Sequence, residues 1–230
     1  MVRTRPPRRL EEIVEAATVV FLEKGYRRAR MDEIAREAGV SPGLLYSYAE
    51  GKEALFQLAQ LRELGVDISR SELPVPAPSA EEMQVVARRA FKEIAAVPAL
   101  EAALKTDTPV DVRAELGAIV GEHYERLHRY RRFVRLNERS ALDWPEMAER
   151  YFARGRKSHV RRLGSYIAAR VSSGYLAPLP DAEVAARFVI ETVAWFANHR
   201  YGDYDGGQIP DDVAKATVVQ LVTSGLVGGR

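Results

Sequence analysis

Apolar side chains recur at steps of three and four residues through most of the chain, and this spacing constrains the fold more than any other feature. Leu10, Ile13 and Ala17, for example, mark one face of a helix predicted over 7–24. Strand-like alternation never persists for more than a few residues. The sequence therefore predicts an all-α protein.

Prolines, glycines and capping residues divide the chain into separate helices. Two short helices are predicted over 31–38 and 42–48, and a third begins near Gly51 and runs through Leu61. Further helices are predicted over 79–97, 110–129, 131–142, 145–173, 181–200 and 211–227.

Three prolines at alternate positions interrupt the helical pattern in 71–78. They exclude a helix there and favour a stiff, extended connection. A long loop inside one domain is the alternative, but we expect a hinge or domain edge. This expectation divides the chain into an N-terminal domain over 1–64, a connecting segment over 65–78 and a larger helical domain over 79–230.

Composition excludes several classes of protein. With no cysteine among the 230 residues, the chain contains no disulfide, thiolate metal site or thiol nucleophile. No apolar run approaches the roughly 20 residues that span a bilayer, and the basic N-terminus lacks the apolar core of a signal peptide. We therefore expect a cytoplasmic protein with no membrane partner. The formal net charge of +2 is close to balance, so nucleic-acid binding has to be argued from charge placement.

The helix over 31–38, the Gly39-Val40 turn and the helix that Ser41 and Pro42 begin form a pattern typical of a helix-turn-helix. Small residues in the first helix allow the two helices to approach closely. The exposed face of the second helix is then expected to carry Pro42, Gly43, Leu44, Ser47 and Tyr48. A helical hairpin inside a bundle is the alternative interpretation of this spacing.

The run over 31–46, the following 52–56 and the preceding 21–26 resemble the DNA-binding domain of TetR-type transcriptional repressors. The resemblance implies a three-helix helix-turn-helix domain followed by a larger helical bundle that binds a ligand and dimerises. It further implies a homodimer that binds a near-palindromic operator in double-stranded DNA and is released by an unidentified small-molecule effector. No enzymatic activity, cofactor or metal is expected.

The resemblance also assigns roles to residues near the turn. Ser41 caps the recognition helix and can reach a phosphate, and Tyr46 is packed or directed at the backbone. The Tyr48 hydroxyl can donate to a phosphate, and the Lys52 ammonium at the start of the next helix favours one. Arg30 stands where a capping hydroxyl is usual, which weakens the cap and brings a guanidinium near the DNA backbone. Leu44 cannot hydrogen-bond a base but can pack on a thymine methyl. The DNA-binding candidates are Arg30, Ser41, Pro42, Gly43, Leu44, Ser47, Tyr48 and Lys52.

A basic arm over 1–9 precedes the first helix. Residues 1–30 contain eight basic and four acidic side chains, a local excess of four positive charges. Such an arm can reach the minor groove or the phosphates. A solvated terminus without a role is the alternative.

Two sets of candidates fall in the larger domain. Bulky or amphipathic residues that we expect to line an effector pocket are Phe91, Tyr130, Phe133, Asn137, Tyr151, Phe152, Phe188 and Trp195. Apolar residues of the last two helices that we expect at a dimer interface are Val184, Val193, Phe196, Val218, Leu221 and Val222. Ordinary core packing is the alternative for both sets.

No enzyme motif appears: the chain lacks a Gly-x-Ser-x-Gly elbow, a P-loop and a dinucleotide fingerprint. His123 and His128 are five residues apart, which does not suit one helix face, so no metal site is predicted. The remaining alternative function is a helical small-molecule-binding module, or an enzyme, without specific DNA binding.

Overall fold

The computed structural model describes residues 7–145, 149 and 156–228, with backbone alone at Pro7 and Phe91. These residues form helices and connections and no strand. The α-helices are α1 (Pro7–Lys24), α2 (Met31–Glu37), α3 (Pro42–Tyr46), α4 (Lys52–Glu63), α5 (Ala80–Ala95), α6 (Pro98–Ala103), α7 (Val112–Arg129), α8 (Arg131–Ala141), α9 (Lys157–Ser172), α10 (Ala182–Ala197) and α11 (Asp211–Val227).

The predicted all-α fold is confirmed, and most predicted helix ends lie within two residues of the observed ones. The prediction missed α6. Pro98 was expected to separate two helices, but it begins α6, because proline is tolerated at the first helical position. Of the helix predicted over 145–173, residues 146–148 and 150–155 lie outside the described residues.

The chain divides into two compact units. The first comprises the described residues of 1–90 and 132–151, and the second those of 91–131 and 152–230. The division therefore falls after Ala90 rather than in the proline-rich segment.

The first unit packs α1, α2, α3 and α4 around one apolar core. Leu10, Ile13 and Phe21 are at most 1% exposed, as the spacing of α1 predicts. The proline-rich segment packs on this core through Leu73 and Val75. The Val75 amide donates to the Tyr48 carbonyl at 2.9 Å, which fixes the segment beside the end of the helix-turn-helix.

In the second unit, a buried arginine organises the connection between α10 and α11. Arg200 is 0% exposed; its guanidinium donates to the Phe196 carbonyl and to the Ile209 carbonyl, both at 2.6 Å, and pairs with Asp211. A side chain at Gly206 would approach the Arg200 carbonyl oxygen to 2.9 Å, so only glycine fits there. These contacts explain why α10 ends at Ala197 instead of continuing to residue 200 as predicted.

Within the described ranges, no helix combines the length and apolar character that crossing a lipid bilayer requires.

Candidate nucleic-acid interface

A tight turn joins α2 to α3. Gly39 has a φ of +62°, a left-handed conformation that other L-residues rarely adopt. The Val40 amide donates to the Ala35 carbonyl at 2.9 Å and closes the turn. Behind it, Ile34 and Leu45 are both 0% exposed. The predicted sequence of helix, glycine turn and helix is therefore confirmed.

Local capping fixes the start and end of α3. The Ser41 Oγ accepts a hydrogen bond from the Leu44 amide at 3.2 Å, and Pro42 occupies the first turn. At the other end, the Ser47 hydroxyl donates to the Leu44 carbonyl at 2.6 Å. Because the helix ends at Tyr46, it is two residues shorter than predicted.

One edge of α3 is free of the protein core. Ser41, Pro42 and Gly43 are exposed, and Leu44 is 41% and Tyr46 50% exposed. We call these five residues the α3 edge. The predicted exposure of Pro42, Gly43 and Leu44 is confirmed. Ser47, which was predicted to lie on the same exposed face, is half-buried.

The expectations for the two tyrosines are wrong. Tyr48 is 3% exposed, so its side chain lies in the core and not on the exposed face, whereas Tyr46 is exposed rather than packed. Tyr46 follows Pro42 by four residues on α3 and shares its outer face. Tyr48 lies in the turn after α3, three residues beyond the buried Leu45, and its amide donates to the Leu45 carbonyl at 2.9 Å. This signal was present in the sequence.

Arg30 lies on the surface beside α2. Its backbone amide donates to the Glu33 carboxylate at 3.2 Å, which replaces part of the missing side-chain cap. The guanidinium pairs with Asp32 at 3.0 Å while 72% of the side chain is exposed. An exposed ion pair of this kind contributes little to stability, so the guanidinium is available to an outside phosphate.

Lys52 opens α4 beside the loop between α1 and α2. Its Nζ donates to the Arg27 carbonyl at 3.2 Å and to the Ala29 carbonyl at 3.1 Å, and lies 4.6 Å from the centre of the Tyr26 ring. Burial lowers the pKa of Lys52 below its ordinary value. The ammonium therefore orders this loop, and one of its three protons remains for a phosphate; the predicted phosphate contact stays a prediction.

The start of α1 lies next to the turn. Arg9 Nη2 donates to the Gly39 carbonyl at 3.4 Å, and Arg9 Nη1 pairs with Glu12 at 2.7 Å. Of the basic arm predicted over 1–9, residues 1–6 lie outside the described residues. The N-terminal end of α1 therefore lies beside the turn between α2 and α3.

An aromatic cluster supports the loop that Lys52 orders. The rings of Tyr26 and Trp144 stack with centres 4.5 Å apart, and Phe56 meets Tyr26 edge-on at 5.0 Å. Arg28 Nε pairs with Asp143, next to Trp144, at 3.1 Å. The residues that follow α8 therefore hold the basic loop between α1 and α2, a role that sequence reasoning missed.

The described candidates for an effector pocket are divided between the two units. Phe133 and Asn137 belong to the first unit, where Asn137 Oδ1 accepts from Gln60 Nε2 at 2.8 Å, so this amide has a structural partner. Tyr130 and Trp195 belong to the second unit. Phe188 is 64% exposed, so the prediction that it faces inward is wrong. The Phe91 side chain, Tyr151 and Phe152 lie outside the described residues.

The dimer candidates separate into two groups. Val193, Val218 and Val222 are at most 4% exposed within their own unit, so their assignment to an interface is wrong: they pack inside the protein. Val184 and Leu221 are 68% and 67% exposed, and Phe196 is half-buried.

Helices α10 and α11 pack against each other, and two further exposed apolar residues on them are Phe188 and Val213. We call Val184, Phe188, Val213 and Leu221 the outer apolar residues.

Together, the glycine turn, the capped α3 and its exposed edge define a helix-turn-helix protein. Family models assign the chain more narrowly. Residues 13–59 match the model of bacterial regulatory proteins of the tetR family, and residues 128–219 match that of the C-terminal domain of AefR-like transcriptional repressors. The chain belongs to the TetR family.

Curated relatives match over part of the chain. The fatty acid metabolism regulator protein of Bacillus subtilis is 30% identical over 86 residues, 36% of this chain and 44% of that protein. The HTH-type transcriptional regulator BetI of Brucella anthropi is 39% identical over 75 residues, 30% of this chain and 39% of that protein. The alignments thus span less than half the length of these relatives.

Solved structures share the fold over nearly the whole chain. The TetR family regulator PfmR of Thermus thermophilus has a TM-score of 0.56 at 22% identity and covers 94% of this chain and 96% of its own. The ketosteroid regulator KstR2 of Mycobacterium tuberculosis has a TM-score of 0.55 at 18% identity, with 100% and 98% covered. Identities this low establish the fold alone.

Proposed function

We propose that this protein is a homodimeric transcriptional repressor that binds a near-palindromic operator through the α3 edge and releases it when a small molecule binds the second unit. The observation that carries this proposal is the α3 edge itself. A short helix, anchored behind by buried Leu45, presents exposed residues with no other part of the described chain covering them. Membership of the TetR family supports a regulator rather than an enzyme, and binding to chromosomal DNA implies a cytoplasmic location.

The chemistry of the α3 edge favours particular contacts with DNA. Pro42 and Gly43 have no side-chain hydrogen-bonding group, so they allow a close approach but do not specify a base. Leu44 suits a thymine methyl, and the Tyr46 hydroxyl can bond a base edge or a phosphate. With so few polar groups on this edge, sequence-dependent DNA shape and phosphate contacts supply much of the recognition.

Binding to DNA tests the proposal. We expect the protein to bind duplexes selected from the DNA beside its own gene, with affinity falling steeply as salt rises. Lys52→Ala should weaken binding to all sequences by roughly tenfold and reduce the salt slope by about one, because a phosphate contact is lost and the 27–29 loop loosens.

Electrophoretic mobility shifts over a salt series measure both quantities. Lys105→Ala, an exposed lysine of the second unit, removes the same charge elsewhere and should leave affinity unchanged. Absence of salt-dependent binding in the unmodified protein, or equal effects of the two substitutions, would contradict the proposal.

The outer apolar residues support the proposed dimer. Val184 and Phe188 are four residues apart on α10 and so lie on one face, and large exposed apolar groups are typical of interfaces. Sedimentation should find a dimer at micromolar concentration. Phe188→Asp should shift it to a monomer, because an interface core does not accommodate an unpaired charge. Tyr204→Asp, at a fully exposed loop position (102%) of the same unit, is the control and should stay dimeric. A monomeric unmodified protein would refute the dimer.

A further inference from the structure

Two histidine side chains form a buried pair inside the second unit. His123 on α7 and His159 on α9 stack with ring centres 4.6 Å apart and planes 29° from parallel. Each residue is 8% exposed. Their spacing along the chain gives no hint of this contact, which only the packing of α7 and α9 creates.

Three of the four ring nitrogens of the pair make no hydrogen bond within the described part of the chain. Nδ1 and Nε2 of His123 and Nδ1 of His159 are buried with no hydrogen-bond partner among the described residues. Burial lowers the pKa of both rings, that of His159 to about 4, so both are neutral near pH 7. Buried polar groups left unpaired destabilise a fold, and each such case in a native structure requires an explanation.

Buried apolar residues adjoin the pair on both helices. On α7, Ile119 and Val120 precede His123 by one turn and are buried, and on α9 the buried Val160 and Leu163 lie beside and one turn beyond His159. Charged side chains near the pair already have partners: Arg156, Arg162 and Arg170 pair with Glu191, Glu101 and Glu115, and Arg126, one turn beyond His123, donates to the Glu93 carbonyl at 2.6 Å. Among the described neighbours, the imidazole nitrogens are therefore the polar atoms left for the polar group of a ligand.

We propose that His123 and His159 are the polar anchor of the effector site and bind the carboxylate of an amphipathic organic acid. This inference rests on the proposed function, since it assigns a chemical class to that function's effector. The two oxygens of one carboxylate can accept an N–H from each ring. One imidazole takes up a proton from solvent as the acid binds, so the buried imidazolium–carboxylate pair carries no net charge.

Other ligand chemistries fit the pair less well. An alcohol can bond both rings with its one hydroxyl, but it is neutral and lacks the stronger, charge-assisted hydrogen bond of an imidazolium–carboxylate pair. An ammonium group offers only donors and adds an unpaired cation to an apolar interior. Zinc sites use three or four protein ligands, and the described part of the chain contains no cluster of three His, Cys, Asp or Glu that could hold a metal.

Binding of matched amphiphiles to the full chain tests the proposal. Octanoate and its shorter and longer straight-chain homologues serve as probes, with octan-1-ol and octylamine as controls of the same tail. We expect a carboxylate of the series to raise the melting temperature and bind by calorimetry about tenfold or more tighter than the alcohol, and the amine to have no effect. Equal binding of acid and alcohol, or no binding by any carboxylate, would overturn it.

Replacing a histidine by phenylalanine separates a ligand anchor from a structural residue. His123→Phe removes two unpaired polar atoms from the core and keeps a flat ring, so it should raise the ligand-free melting temperature by roughly 2–4 °C. The stabilisation by the carboxylate should disappear in the same variant. A lower melting temperature with an unchanged ligand shift would mean that the pair is structural.

The unmodified protein provides a second measurement that needs no variant. Its four histidines are His123, His128, His159 and His199, so imidazole ¹⁵N resonances can be assigned individually. The carboxylate should move the signals of His123 and His159 and leave those of the other two unchanged; the reverse pattern would overturn the proposal. DNA binding measured without any carboxylate tests the proposed function separately, so either idea can fail while the other stands.

Discussion

Replacement of Leu44 by glutamate is expected to lower the affinity for every DNA sequence by about 100-fold or more, close to 2.7 kcal/mol. Leu44 lies on the α3 edge and is 41% exposed. Duplex DNA carries one negative charge per ~1.7 Å of its axis, so a carboxylate at this edge is repelled wherever the helix docks. Because the Leu44 side chain is exposed, the substitution should lower the free energy of unfolding by no more than about 0.5 kcal/mol.

The matched control is Leu44→Gln, because a glutamine side chain has the shape of glutamate without its charge. It should lower affinity by less than about tenfold and mainly change base preference at the position where leucine meets a thymine methyl. Fluorescence anisotropy with labelled specific and random duplexes measures both effects. Equal losses for glutamate and glutamine, or unchanged binding with glutamate, would mean that the α3 edge does not face DNA.

Much of the first unit could be predicted because its signals are local. The Gly39 turn, the Ser41 cap and the start of α3 at Pro42 each depend on residues within about four positions. The tyrosine error was avoidable for the same reason. Once Leu45 is taken as the buried residue of α3, the spacing directs Tyr48 inward and Tyr46 outward.

Contacts between distant segments could not be predicted in this way. The bond between Gln60 and Asn137 joins α4 to α8, and the stacking of Tyr26 on Trp144 joins residues far apart in the chain. A single sequence shows which residues are apolar or polar but not which ones meet. The same limit affected the pocket candidates, since an amide that resembles a ligand contact is instead satisfied by another amide.

The dimer candidates show a related limit. A helix whose apolar residues occupy more than one face has one face for its own core and another for a partner, and the sequence does not say which is which. Val193 and Val218 are buried within their unit, whereas Phe188, which we assigned to a pocket, is exposed. Only the packing of α10 and α11 separates the two faces.

Arg170 is another residue whose role no sequence pattern indicated, and its replacement by alanine is expected to destabilise the second unit by about 3–5 kcal/mol. The residue is 3% exposed. Its guanidinium donates to both carboxylate oxygens of Glu115, at 2.9 and 3.1 Å, and to the Ala103 carbonyl at 2.9 Å. The Tyr166 hydroxyl donates to the same carboxylate at 3.0 Å. Alanine would leave the Glu115 charge largely buried without its counter-ion.

Unfolding of the second unit can be followed separately because the chain has only two tryptophans, Trp144 and Trp195. In a Trp144→Phe background, Trp195 reports urea unfolding of the second unit alone. Arg170→Lys should cost less than alanine, since it keeps the charge but loses the two-pronged contact. The double variant Arg170→Met with Glu115→Leu should recover most of the loss, because no unpaired charge remains. Two results would contradict this account: a loss below about 1 kcal/mol for Arg170→Ala, or a double variant no more stable than Arg170→Ala. Either would mean that the unpaired Glu115 carboxylate is not the source of the penalty and that the contacts of Arg170 and Tyr166 with Glu115 do not hold α7 to α9.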